Sequence, residues 1–283
     1  MRWTPRGRSR NLEDRRGSPV RMGAGLGIGG LIAAAAIALL MGQNPLVVLT
    51  ELLGGAGSQV VAGPPPTEAE LAVEEDQVQF VSFILDDAQD TWRQLLAQGG
   101  ATYQDAQMVL FRDAVESACG MGQSAMGPFY CPADHKVYID LAFYNDLRER
   151  FGAEGDFAQA YVIAHEIGHH VQTLLGIDSQ VRSAQQQDPG NRNELSVRME
   201  LQADCLAGVW GHSAAQRGHL EAGDVEEGLN AAAAIGDDRI QRMSGGRVSP
   251  ESWTHGSSEQ RVTWFRRGMD NGNMDLCDTF QSG

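Results

Sequence analysis

Lysine is all but missing from this 283-residue chain, with Lys136 the only one. Twenty-two basic residues stand against 37 acidic ones, a formal net charge of -15. A body this acidic, with no cluster of Lys and Arg, lacks the electrostatic footprint that phosphate backbones need, so nucleic acid is set aside as a partner. No two of the four cysteines are spaced as C-x-x-C, which argues against a cysteine zinc site. No internal repeat of a solenoid or propeller is visible. The longest absence is of charge itself, since nothing ionisable lies between Met22 and Thr50.

The charges that exist are unevenly placed. Residues 1–22 carry seven arginines against Glu13 and Asp14, net +5, which leaves -20 for the remainder. Behind them Gly23 to Gly42 reads GAGLGIGGLIAAAAIALLMG, long enough as a helix to span about 30 Å of hydrocarbon. Cleavable signal peptides have shorter apolar regions, about 7–15 residues, followed by a small-residue cleavage site. The expectation is therefore a retained single-pass anchor over 23–43 in the cytoplasmic membrane. Residues 1–22 would form a basic cytoplasmic tail and everything beyond the anchor would lie outside. Residues 44–70, ending in GGAGSQVVAGPPPTEAE, read as a Gly/Pro-rich linker, and 71–283 as the folded domain.

All four cysteines, Cys119, Cys131, Cys205 and Cys277, follow the anchor, as suits an oxidising space. Of the three ways to pair them, Cys119 with Cys131 closes a short loop and Cys205 with Cys277 ties down the tail, which makes this the preferred connectivity.

Within the domain, Val78, Val81, Ile84, Leu85, Ala88, Trp92, Leu95 and Leu96 recur at helical spacing and stop at Gly99-Gly100. Gln107–Phe111 and 136–141 read as strands of a small antiparallel sheet. Asp156 with Gln159 reads as a capping box opening a helix that runs to Gly176. Further helices are predicted from Asn193 to Arg217, Glu221 to Met243 and Ser257 to Arg267. The fold class is thus α+β, mainly helical, preceded by one transmembrane helix.

The chemistry concentrates in His165-Glu166-Ile167-Gly168-His169, an H-E-x-x-H inside a predicted helix. Residues four apart lie about 40° apart round a helix, so both imidazoles leave one face and can bind one ion. Zinc suits two neutral imidazoles, and Glu166 beside them can take a proton from zinc-bound water. A third ligand must come from further on, because Gln172 and Leu175 stand where an extended motif would place Gly and His. Glu200 and Asp204 share one face of the next helix, Glu200 as ligand and Asp204 as acceptor for the free N–H of a zinc-bound histidine. Glu194, His212 and His219 are competing ligands. For a donor to the developing oxyanion, His255 is the candidate, with Arg261 and Tyr138 behind it. His170 points away from His169 and reads as packing.

Taken together, the HEIGHH core, RMELQADCLAGVW (198–210), THGSSEQRVTWFRRG (254–268) and the opening RSRNLEDRRG resemble the bacterial neutral zinc metallopeptidases. The resemblance covers nearly the whole chain. It implies a zincin-like domain, one N-terminal membrane segment, one Zn2+ and peptidase activity on a peptide or protein substrate, and it supports Glu200 as the third ligand. It supplies no substrate. Two other readings keep the metal site: an anchored binding or scaffold module stabilised by zinc, and an amidase acting on cell-wall peptides.

Overall fold

The computed structural model describes residues 1–17, 67–124, 127–243, 245 and 248–280. The expected anchor, 23–43, lies outside them. Among the described residues no helix is long and apolar enough to cross a membrane. The domain begins with a short helix, α1 (Glu68–Val73), at the end of the stretch expected to be linker, and continues into α2 (Glu75–Gln98). The apolar stripe of α2 forms one wall of the core, with Val78, Val81, Ile84, Leu85, Ala88 and Trp92 fully buried.

Against it lies a four-stranded sheet of order β1-β2-β6-β5, made of β1 (Leu12–Asp14), β2 (Gln107–Phe111), β5 (Phe129–Cys131) and β6 (Lys136–Asp140). The expected antiparallel sheet is corrected here. β1 and β2 run parallel, β2 and β6 run parallel, and only β5 pairs antiparallel. Between β2 and β6 the chain inserts a hairpin, β3 (Ala114–Ser117) and β4 (Gly120–Gln123), and then β5, so it re-enters the sheet in its original direction. Both faces of the central strands are covered, which is why they read as near-continuous apolar runs. Met108, Leu110, Val137 and Ile139 join the main helical core. Val109, Phe111, Val115, Cys131 and Tyr138 form a second small core on the opposite face, where the Cys119–Cys131 disulfide ties the hairpin region down.

The remaining helices are α3 (Phe143–Glu149), α4 (Asp156–Leu174), α5 (Ile177–Gln187), α6 (Arg192–Gln216), α7 (Asp224–Ala234), α8 (Asp237–Met243) and α9 (Ser258–Asn271). The expected helix from Glu221 to Met243 is two helices, α7 and α8. Gly236 separates them, and a Cβ there would stand 2.4 Å from the Ser258 nitrogen. The Asp156 capping box is also corrected. Gly155 is the N-cap of α4, and the Phe157 N–H donates to Glu227 Oε2 at 3.1 Å, so a neighbouring helix satisfies the α4 terminus. Ser257 and Gln260 do form a full capping box on α9.

Two glycines set the closest helix contact. A Cβ on Gly208 of α6 would lie 2.1 Å from the Phe265 carbonyl oxygen, and one on Gly268 of α9 would lie 1.9 Å from that of Cys205. Helices α6 and α9 therefore touch backbone to backbone. The Cys205–Cys277 disulfide joins the chain just beyond α9 to the same region, so both disulfides have the expected pairing.

The opening segment is folded onto the domain. Trp3 packs edge-on against Phe80 at 5.3 Å, and β1 extends the sheet at β2. Arg16, 3% exposed, sits between Asp14 at 2.7 Å and Glu74 at 2.6 Å. Lys136 pairs with Glu13 at 2.9 Å.

Candidate metal centre

The H-E-x-x-H segment lies in the middle of α4, a helix buried on most sides. Helix α6 crosses it closely because Gly168 has no side chain. A Cβ there would already be 3.0 Å from the Ala203 carbonyl oxygen and 3.2 Å from its Cα. That approach brings Glu200 and Asp204, on either side of Ala203, to the two histidines.

His165, His169 and Glu200 then converge. His165 Nε2 is 3.2 Å from Glu200 Oε2, and His169 Nε2 is 3.5 Å from Glu200 Oε1. One ligand atom from each of the three lies within 4.8 Å of the others. With zinc bonds of about 2.0–2.1 Å in a tetrahedral arrangement, ligand atoms sit about 3.4 Å apart. The two imidazole–carboxylate distances, 3.2 and 3.5 Å, are close to that edge length. Two imidazole nitrogens and a carboxylate are also a donor set suited to zinc.

The outer nitrogens are tied down. His165 Nδ1–H donates to Asp204 Oδ1 at 2.9 Å, and His169 Nδ1–H donates to Gln172 Oε1 at 2.8 Å. Gln172 is held in turn, because its amide nitrogen donates to the Met199 carbonyl and to Gln202 Oε1. Both rings thus present Nε2 lone pairs to the same point, with tautomer and orientation fixed from behind. Asp204 is fully buried and satisfied at both oxygens. Arg261, on α9 and 2% exposed, donates to Oδ2 from Nε at 2.8 Å and to Oδ1 from Nη2 at 2.9 Å. Tyr161 also donates to Oδ1.

The electrostatics ask for positive charge between these groups. Burial alone lowers the pKa of His165, but the charge and hydrogen bond of Asp204, with the bond to Glu200, raise it to about 10. Burial likewise disfavours the charged form of His169, and Glu200 more than reverses it. Burial opposes ionisation of Glu200, yet His169 and His165 hold it well below the usual carboxylate range. A divalent cation at the meeting point would supply positive charge to these three groups.

Glu166 is 7% exposed and lies next to His165 on the helix. Its charge is felt by His169 and by Tyr144, whose buried hydroxyl has no hydrogen-bond partner among the described residues. A cavity of about 280 Å³ opens on the ligands, lined in part by His169, Glu200, Tyr130, Thr173 and Met199.

The other candidates are dispersed. His255 is half-exposed and held by Asp237, whose bond raises its pKa against burial, with Glu200 adding to the shift. Arg261 serves Asp204. Tyr138 is buried in the sheet and donates to Asp134 at 2.7 Å. Glu194 is exposed and pairs with Arg198. His212 bonds the Met269 carbonyl and Gln216, and His219 lies against Asp87. His170 is fully buried, its Nδ1 accepting from the Tyr130 hydroxyl at 3.0 Å and its Nε2–H donating to the Gln104 carbonyl at 2.6 Å. Burial pushes its pKa down to about 4, so it is a neutral packing residue.

Sequence reasoning did not single out Gln172, although a residue three after His169 shares its face. Tyr161 and Tyr144 carried no signal in the sequence, being aromatic positions in apolar stretches.

A family profile described as "Putative neutral zinc metallopeptidase" matches residues 1–280. An uncharacterised protein of Escherichia coli (strain K12), YpfJ, is 52% identical over 288 residues, covering 99% of this chain and 99% of its own. Uncharacterised proteins of Mycobacterium bovis and Mycobacterium tuberculosis are 43% identical over 202 residues, covering 68% of this chain and 66% of theirs. No solved structure matches the chain significantly.

Proposed function

This chain belongs to the neutral zinc metallopeptidase family, and from that membership we propose that it hydrolyses peptide bonds at a zinc site held by His165, His169 and Glu200, with Glu166 as general base. The observation that carries the reading is the convergence of His165, His169 and Glu200, with the carboxylate of Glu166 carried by the residue next to His165 on the same helix. A zinc that served stability alone would need no such carboxylate. Bound zinc would supply Lewis acidity, activating water and polarising the scissile carbonyl.

The chain's own groups account for the rest. Asp204 and Gln172 keep the imidazoles pointed inward. Glu166 takes the proton of the attacking water and hands it to the leaving amine. The unpaired Tyr144 hydroxyl, close enough to feel Glu166, is a group that would steady that carboxylate. His255 is retained as the donor to the developing oxyanion, because it lies within the electrostatic reach of Glu200. A peptide or protein is the substrate, received in the cavity beside His169 and Glu200. Two disulfides in the domain support its folding in an oxidising space, outside the cytoplasm.

The test is Glu166→Gln. Zinc content and thermal unfolding should stay at the native level, while hydrolysis of a susceptible peptide from an unbiased library falls by about 100-fold or more. Unchanged turnover would refute the role of Glu166.

A further inference from the structure

We infer that residues 1–17 occupy the same compartment as the metal centre, so that the connection between them, residues 18–66, starts and finishes on one side of any bilayer it meets. This goes beyond the catalytic reading and does not depend on it.

A chain that crossed a membrane once between residues 17 and 67 would have its opening segment and its domain on opposite sides. The structure joins them. β1 is paired in register with β2, Leu12 opposite Met108, Glu13 opposite Val109 and Asp14 opposite Leu110. The contact is more than a strand edge. Trp3 lies on Phe80, the Ser9 hydroxyl donates to Asp86 at 2.5 Å, and Asn11 donates to Asp105 at 3.1 Å. Exchange of the segment between two copies changes nothing, since each copy would still need its opening segment on the side of the partner's domain.

Arginines flanking an apolar run ordinarily hold that flank in the cytoplasm. In this fold four of the arginines have acidic partners on the domain instead. Arg2 pairs with Glu221 at 3.2 Å, Arg8 with Glu75 at 2.5 Å, Arg10 with Asp105 at 3.6 Å and Arg16 with Glu74 at 2.6 Å. Residues 1–17 hold six arginines against Glu13 and Asp14, a net of +4, and this charge faces the acidic domain. Glu74 takes both Arg16 and Arg112, so the opening segment and the start of α2 meet at one ion-pair cluster. The two described ends that flank residues 18–66 are therefore held on one domain, and any crossings of a bilayer between them must be even in number, zero included.

Cysteine labelling of the full chain in intact cells tests this. The described native cysteines are all in disulfides, and Thr4 and Asp270 are exposed. Thr4→Cys and Asp270→Cys proteins, made separately, would be treated with a membrane-impermeant maleimide before and after permeabilisation. Arg6→Cys, also exposed, serves as a second N-terminal probe if the first fails to accumulate. Both sites should label alike in intact cells, either both reactive or both protected, and both should react after permeabilisation. A reactive site at one end with a protected site at the other overturns the inference.

Discussion

Asp204→Asn separates two jobs that one carboxylate performs. Asp204 accepts the His165 Nδ1–H and, through both oxygens, the guanidinium of Arg261. The amide keeps the shape but removes the charge, leaving Arg261 buried without its counter-ion. Breaking a buried pair on one side typically costs about 3–5 kcal/mol. Replacing the charged acceptor behind a metal-bound histidine by a neutral one is expected to lower metal affinity about 10–100-fold, or about 1.4–2.8 kcal/mol. Chemical denaturation should therefore show a loss of about 3 kcal/mol or more, and chelator competition a weaker hold on zinc. The double variant Asp204→Asn/Arg261→Met removes the stranded charge. It should recover most of the stability and none of the zinc affinity. If both quantities return together, Asp204 acts only through the ion pair and its link to His165 counts for nothing.

Three further outcomes are expected. Glu200→Ala should lower the zinc content of the purified chain, and full occupancy would remove Glu200 from the ligand set. Zinc uptake by metal-free protein at neutral pH should release protons, because the carboxylate neighbours of His165 raise its pKa to about 10 and Glu200 shifts His169 in the same direction, while both rings must be neutral to bind. Apparent affinity then rises with pH towards about 10, and calorimetry in buffers of different ionisation enthalpy that shows no proton release would contradict this. Removing residues 1–17 uncovers the β2 edge, Phe80 and the ion pairs of Arg16, so denaturation should show a loss of about 2 kcal/mol or more, the scale of burying one large apolar side chain. Unchanged stability would mean the segment is not integral to the fold.

The metal site was legible because its logic is local. His165, Glu166 and His169 sit within one helical turn, and Glu200 and Asp204 within another, so spacing alone put each set on one face. Joining the two faces required Gly168, whose significance is a distance to Ala203 that no linear pattern contains. The contacts of the opening segment were not legible for a related reason. The acids that meet Arg2, Arg8, Arg10 and Arg16, namely Glu221, Glu75, Asp105 and Glu74, lie far along the chain. β1 is three residues long, two of them charged, and too short to show alternation. The direction of β2 against β6 depends on the path of the chain between them. The Asp156 cap failed because Glu227 reaches the helix end first, and the helix predicted through Gly236 breaks where Ser258 crowds that glycine.

The meeting of Gly208 and Gly268 has a bearing on how this protein would fail. Side chains can change rotamer and absorb a small disturbance, but peptide groups in direct contact have no such slack. Asp204 and Cys205 lie one turn from Gly208, and Arg261 lies two turns from Gly268, so the grip on His165 is registered to that crossing. Warming or mutation should then leave the convergence of His165, His169 and Glu200 intact until the two helices part, and abolish it in the same step.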